Sequence, residues 1–264
     1  MNKNFLILSS AFALGITCPG TIILSDFNAP DFAEGELDGQ GGWSVAGATG
    51  DHTVAAGGLT YTSGAVNHNG GSQHLNLSSA SGAEPRASLG LGAESLDSAG
   101  TFYFSYLFEY GTQFNWIAFG DASANDNGSL GIAISSNNFQ LRARDSAGGQ
   151  TATNIAGANA GGTRLVVGKI DFNPAGSSTL SVSVDPDSRD EPAVWDQTAS
   201  RTLNITDIDT LWIRKGGSGN PDNFDYILMG STYDAVVIPE PKAWAFVFGA
   251  VAMLCLFIRR RRSV

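Results

Sequence analysis

Apolar and polar residues alternate in short runs along most of this chain, and turn residues punctuate the runs. The sharpest run covers 101–110. Phe102, Phe104, Tyr106, Phe108 and Tyr110 fall on one side of an extended strand, and Tyr103, Ser105, Leu107 and Glu109 on the other. Leu180, Val182 and Val184 alternate with Ser181 and Ser183 in the same way. Further strand-like runs lie at 52–56, 59–63, 73–77, 115–120, 129–135, 138–144, 163–172, 178–185, 208–214 and 223–230. Gly57-Gly58, Asn69-Gly70-Gly71, Asn127-Gly128, Gly148-Gly149 and Pro174-Ala175-Gly176 separate them, residues that supply positive φ or start tight turns. No stretch of the body sustains a 3.6-residue apolar period. About a dozen short strands without intervening helices predict an antiparallel β-sandwich, a single domain over 25–236.

Composition agrees. The chain has 264 residues, 33 of them glycine, with 42% hydrophobic and only 15% charged. That is too few charges for a coiled coil and too much apolar and aromatic material for a disordered chain. Charge is unevenly spread. Six of the fifteen basic residues lie at the ends (Lys3, Lys242 and Arg259 to Arg262), against one acidic residue there, Glu240. The body keeps nine basic and twenty-four acidic side chains, an excess of about fifteen negative charges. Such a body repels nucleic acid, so no DNA or RNA partner is expected. The two cysteines, Cys18 and Cys255, both sit in the apolar ends. The body therefore has no disulfide, no thiolate metal site and no cysteine nucleophile.

The ends carry addresses. Lys3 precedes a mainly apolar run from Phe5 to Ile16, and Pro19-Gly20 then breaks the helix. This is the pattern of a signal peptide over 1–20, too short for a transmembrane span. Gly15-Ile16-Thr17 before Cys18 is a poor context for lipid attachment. At the other end, residues 243–258 are uncharged and largely apolar, and Arg259, Arg260, Arg261 and Arg262 close the segment. Sixteen helical residues span about 24 Å, and snorkelling of Lys242 and Arg259 makes up most of a ~30 Å bilayer core. The arginines stop transfer and stay cytoplasmic, which places the body outside.

Pro239-Glu240-Pro241, an apolar helix and an arginine cluster, in that order over 238–262, resemble the PEP-CTERM sorting signal. The resemblance implies an exosortase as partner, a membrane enzyme that cleaves at the motif. It also implies anchoring in the inner membrane before processing, then release to the cell envelope or extracellular surface of an exopolysaccharide-making Gram-negative bacterium. A second resemblance spans the body. Asp26-Phe27 and Gly35 to Trp43 near its start, 163–172 with 178–185 in its middle, and Phe224-Asp225-Tyr226-Ile227 near its close are similar to the concanavalin A-like, laminin G-like jelly roll. That resemblance implies a jelly-roll topology. It also implies that Asp225 helps hold a structural calcium with backbone carbonyls.

Chemistry in the body is sparse. Glycosidases of the jelly-roll kind pair carboxylates as Glu-x-Asp-x-x-Glu, and Glu34-Gly35-Glu36-Leu37-Asp38 has neither that order nor that spacing. His52, His68 and His74 match no zinc spacing, and Gly217-Ser218-Gly219 is not a nucleophile elbow. Calcium has better ligands: Asp121 with Asn125, Asp126 and Asn127, or Asp185 and Asp187 with Asp190. Aromatic rings stack on sugar C–H faces, and Trp195, Trp116 and Trp212 are the candidates, Trp195 being placed in a polar loop. The expectation is an exported, non-catalytic protein that binds extracellular polysaccharide or builds matrix. The competing expectation is a polysaccharide hydrolase or lyase on the same fold.

Overall fold

The structure, a computed structural model, describes residues 21–47, 51–78, 85–111, 114–124, 127–135, 138–159, 161–216 and 220–237. The signal segment, the Pro239-Glu240-Pro241 motif, the apolar run 243–258, the arginine cluster, Asn125, Asp126 and Gly217 to Gly219 lie outside these residues. No described helix is long and apolar enough to cross a membrane.

The described strands, in chain order, are β1 (Thr21–Ser25), β2 (Gly35–Glu36), β3 (Trp43–Ala46), β4 (His52–Ala56), β5 (Thr60–Ser63), β6 (Val66–Asn69), β7 (Gln73–Leu77), β8 (Arg86–Gly90) and β9 (Gly100–Glu109). They continue with β10 (Phe114–Gly120), β11 (Ser129–Ser135), β12 (Asn138–Arg144), β13 (Gln150–Asn159), β14 (Thr163–Phe172), β15 (Ser178–Val184), β16 (Gln197–Arg201), β17 (Thr210–Gly216) and β18 (Asp222–Gly230). A short helix α1 (Tyr233–Val237) follows.

Two antiparallel sheets pack face to face. One runs β16-β15-β14-β9-β18-β7-β4-β2, with β1 also paired to β18. The other, of seven strands, runs β13-β12-β11-β10-β17-β8-β3. Their facing sides make one core, and the alternation of β9 works as read: Phe102, Phe104, Tyr106 and Phe108 enter it beside Ile117, Phe119, Leu141 and Phe224. The first sheet begins at Thr21, ahead of the boundary expected at 25. Alternation did not flag β1, β2, β3, β6, β8, β13 and β16; β2, β3, β13 and β16 lie at sheet edges, where little apolar alternation is needed, whereas β8 lies inside the seven-stranded sheet between β17 and β3.

The other side of β9 is also apolar, and it is covered by the chain itself. Tyr103, Leu107, Leu165, Val167 and Leu228 form a second cluster with Leu59, Tyr61 and Val66 of the β5–β6 hairpin and with Tyr233, Val236 and Val237 of α1. Ser105 Oγ donates to the Val236 carbonyl at 2.6 Å, and His68 Nε2 meets the Val237 carbonyl. The chain thus reaches residue 237 docked on the outside of the larger sheet.

Between the sheets, Lys215 is fully buried. Its Nζ donates to the Leu77 carbonyl at 2.6 Å and the Asn220 carbonyl at 3.2 Å, and lies 3.9 Å from Asp222. Burial pushes the lysine down and the aspartate up, while each partner's charge opposes the shift.

Candidate functional site

The outer side of the seven-stranded sheet has a different character. Cross-strand register puts Arg86, Arg214, Trp116, Ala133, Gln140 and Asn154 in one row across it. The next row holds Ser88, Trp212, Ala118, Gly131, Arg142 and Ala152, and the third holds Gly90, Thr210, Gly120, Ser129, Arg144 and Gln150. Four of the nine basic residues of the body therefore stand on one face. Tryptophans from two adjacent strands lie between them. None of these positions is Asp, Glu, His or Tyr.

The indoles lie flat because the sheet beneath them is bare. A Cβ on Gly131 would sit 2.4 Å from Trp116 Nε1, and a Cβ on Gly120 would sit 2.8 Å from Trp212 Cζ3. Alanine at either site would collide with the ring. Trp116, Trp212, Ala118 and Ala133 form a small apolar floor with Phe114 against it. Guanidinium groups roof that floor: Arg144 Cζ is 5.2 Å from the Trp116 ring centre, and Arg142 Cζ is 4.7 Å from that of Phe114. Arg142 Nε donates to Gln140 Oε1 at 2.8 Å. Burial lowers the Arg142 pKa, and the Arg144 charge lowers it further; burial also lowers that of Arg214. Both stay charged at neutral pH, since an arginine starts far above it.

Trp116 and Trp212, expected as sugar-stacking rings, are thus brought together but buried, at 2% and 4% exposure. They are a floor under arginines rather than an open platform. Trp195 is elsewhere. It packs edge-on against Tyr233 at 5.8 Å, on the covered side of the larger sheet, so its loop is folded down onto α1. What sequence reasoning missed on this face is the arginines. They sit in three separate runs, Arg142 and Arg144 sharing β12, and only the register of β8, β17, β10, β11 and β12 brings them together. The signal available was the alternation of Arg142 and Arg144 with Leu141 and Ala143 along β12.

Asp225 is fully buried at a bulge in β18, where Tyr226 has φ of 50°. Its two oxygens accept the amides of Leu59 and Tyr226, each at 2.8 Å. Burial pushes its pKa up to about 8; those two hydrogen bonds pull it down, and the charge of Asp26 adds to the rise. Its place explains it as the acceptor for amides that a bulge and a hairpin leave outside the ladder. Asp185 is an ion-pair partner of Arg164 and accepts the Leu165 amide at 3.1 Å. The Asp187 carbonyl accepts the Ala65 amide at 3.0 Å, and the Asp190 amide donates to Ser188 at 3.1 Å. These are turn-capping bonds.

His68 meets the Val237 carbonyl, and His74 Nδ1 lies 2.6 Å from the Gly57 carbonyl, so neither faces a shared ligand. Burial takes His52 and His68 down to about 4. Glu34, Glu36 and Asp38 are all exposed, on and around β2, and Asp38 Oδ1 accepts the Val45 amide at 2.9 Å.

Among the described residues, three carboxylates do converge: Asp121, Asp207 and Asp209, with one oxygen of each within 4.8 Å of the others. Asp121 was expected to work with Asn125, Asp126 and Asn127, of which Asn125 and Asp126 lie outside the described residues; among the described residues its carboxylate neighbours come from the loop before β17. The group borders the arginine face where β10 ends and β17 begins. Asp209 Oδ1 accepts the Ala122 amide at 2.8 Å, and Asp121 Oδ1 accepts the Ser123 amide at 2.7 Å. Burial raises the Asp207 pKa, and the charges of Asp121 and Asp209 raise it further.

No family model and no curated protein matches the chain. Among solved structures, an alginate lyase bound to an alginate trisaccharide is similar at 13% identity, over 81% of this chain and 99% of that one, with a TM-score of 0.48. An endo-beta-1,4-glucuronan lyase from the fungus Trichoderma reesei is similar at 14% identity, over 77% and 95%, with a TM-score of 0.44. A carbohydrate esterase from the Shiga toxin-encoding bacteriophage phi24B is similar at 13% identity, over 81% and 100%, also with a TM-score of 0.44.

Proposed function

We propose that this chain is an exported envelope or cell-surface protein whose jelly-roll domain binds carbohydrate without cleaving it. In this reading it is sorted through its PEP-CTERM-like tail by an exosortase. One observation carries the binding role: the flat outer face of the seven-stranded sheet, with guanidinium, amide and hydroxyl groups around a tryptophan floor. Arginine, glutamine, asparagine and serine grip hydroxyl and carboxylate oxygens, and none of them is a proton-transferring pair at neutral pH. The path of the chain supports presentation at a surface. Residue 237 is docked on the opposite side of the sandwich, so a tail leaving from there lets the arginine face point away from the membrane. A glycan array probed with the full chain in detergent micelles tests the reading. Binding to one or more polysaccharides is expected; no binding to any glycan would overturn it.

The second reading is a polysaccharide hydrolase or lyase. The observation that favours it is Asp207, a carboxyl group held protonated more readily than usual beside two other carboxylates at the rim of the same face. A raised carboxyl pKa beside other carboxylates is the direction a general acid needs. Release of reducing ends or unsaturated sugars by the wild type, lost in Asp207→Asn, would establish it.

A further inference from the structure

One edge of the seven-stranded sheet is open, and we infer that its partner is a second copy of this chain: β13 pairs with its own counterpart, antiparallel and two-fold symmetric about Ala152. The inference goes beyond the carbohydrate-binding reading and does not depend on it. β13 is the last strand of its sheet and pairs with β12 on one side alone. The hairpin joining the two fixes which backbone groups face out. The Asp145 amide donates to the Gly149 carbonyl at 3.0 Å, so those residues face each other inside the hairpin. Hydrogen-bonded and open positions alternate along an antiparallel pair, so Gln150, Ala152 and Asn154 turn their N–H and C=O groups away from β12. The Asn154 carbonyl shows the same direction, since it accepts the Gln197 side chain from β16 at 3.4 Å. It keeps a second lone pair for another donor. All three residues are exposed, and β16 contacts both β12 and β13 without pairing to either.

Other edges are protected. β2 is two residues long, and in β3 the Val45 amide is taken by Asp38 and the Trp43 carbonyl by the Gly39 amide. β13 has ten residues with no charge and no proline, the devices by which edges avoid strand addition. Asp145, at the turn into the strand, is neutralised by Arg201 at 2.5 Å. In a body with about fifteen excess negative charges, two copies can touch along this edge with no like charges in contact.

The edge is also self-complementary. Gln150-Thr151-Ala152-Thr153-Asn154 reads amide, threonine, alanine, threonine, amide from either end. A two-fold contact requires this, because each residue meets its symmetry-related position. Centred on Ala152, the pairing sets Gln150 opposite the counterpart of Asn154, and Thr151 opposite that of Thr153. Amide side chains both donate and accept, and facing threonines hydrogen-bond across strands. Arg142 neighbours Ala152 in register. Its counterpart lies about 14 Å away at ~4.8 Å per strand, beyond the ~8 Å screening length at physiological salt. The dyad between antiparallel strands stands normal to the sheet. Both arginine faces therefore point one way and both docked α1 helices the other, which suits two chains held by their tails in one membrane.

Cysteine cross-linking of the full chain in detergent micelles tests the pairing, in a background with Cys18→Ser and Cys255→Ser. Facing residues of such a pair have Cα atoms about 5.5 Å apart, within disulfide reach. Ala152→Cys is expected to cross-link on mild oxidation at least about tenfold faster than Ser44→Cys, an exposed position on the far edge of the same sheet. Equal rates would report only collisions within micelles and overturn the pairing. Sedimentation velocity supplies the second readout. Dimer should grow as salt rises from about 0.05 M to about 0.5 M, because screening weakens the repulsion of two acidic bodies. Dimer that falls with salt, or a wild-type monomer at every concentration up to about 0.5 mM, would overturn the inference. Ala152→Glu sets a carboxylate beside Arg142 within the chain and opposite a like charge across the pair. It should keep the melting temperature within a few degrees and return the protein to monomer. Dimerisation equal to wild type in that variant would remove β13 as the contact. If the variant fails to fold, the cross-linking contrast decides alone.

Discussion

The two outer faces of this sandwich began as the same object, a sheet surface opposite a shared core, and they were finished differently. On the larger sheet the outward positions of β9, β14 and β18 are tyrosine, leucine and valine, and the chain covers them with the β5–β6 hairpin, the loop through Trp195 and α1. On the smaller sheet the outward positions of β12 and β17 include arginines, and no described strand or helix packs across them. Burying an apolar face against another element gains hydrophobic free energy, while burying guanidinium groups would cost much of what it gained. The smaller sheet therefore keeps a charged outer side, where Arg144 lies over Trp116 and Arg142 over Phe114 of its small apolar floor.

The hardest test of that contrast is Trp116→Ala. If the ring is a packed floor, the loss should be about 3–5 kcal/mol in chemical denaturation. A wild-type midpoint would show a freely exposed ring and blur the distinction between the faces. Leu107→Ala, on the covered side, should cost about 2–5 kcal/mol and leave polysaccharide binding untouched. Binding lost in step with that variant at temperatures where it stays folded would mean the covered side is the one in use.

The covered face should also respond to acid. His68 is held neutral, with its folded pKa near 4 against an ordinary 6.5. Its contribution is complete above about pH 6.5 and disappears as pH falls toward 4, a change of about 1–3 kcal/mol. His52 acts with the same sign. His68→Gln, which still offers a donor to the Val237 carbonyl, should flatten part of the slope in melting temperature between pH 6.5 and 4.5. An unaltered slope would assign it to other groups. Smaller still is Trp195→Ala, where loss of the edge-on packing on Tyr233 should cost about 1–2 kcal/mol with no change in glycan affinity. A drop in affinity instead would restore Trp195 to the binding surface.

Much of this fold was legible from alternation. The strands at His52–Ala56, Gln73–Leu77, Ser129–Ser135, Asn138–Arg144 and Thr163–Phe172 fall where the apolar period and turn residues place them. Strands such as Gln150–Asn159 were not legible, because an edge strand needs only backbone partners and its side chains are free to be threonine and asparagine. Lys215 misleads for the opposite reason. A lysine reads as the outward end of a strand, yet it is buried, held by two carbonyls and Asp222 that are distant in sequence or beyond the strand.

The candidate site was legible only in fragments. Trp116 and Trp212 could be named as aromatic candidates, but whether a ring lies open or roofed depends on side chains from other strands. The linear order of residues by itself determined the β class, the acidic body and the apolar, charge-flanked ends, since each follows from local pattern and composition. Only the tertiary structure decided which side of the sandwich is covered, and that four arginines from three separate runs share one face. Cross-strand register fixes those neighbours, and register is a long-range property that no single run of residues contains.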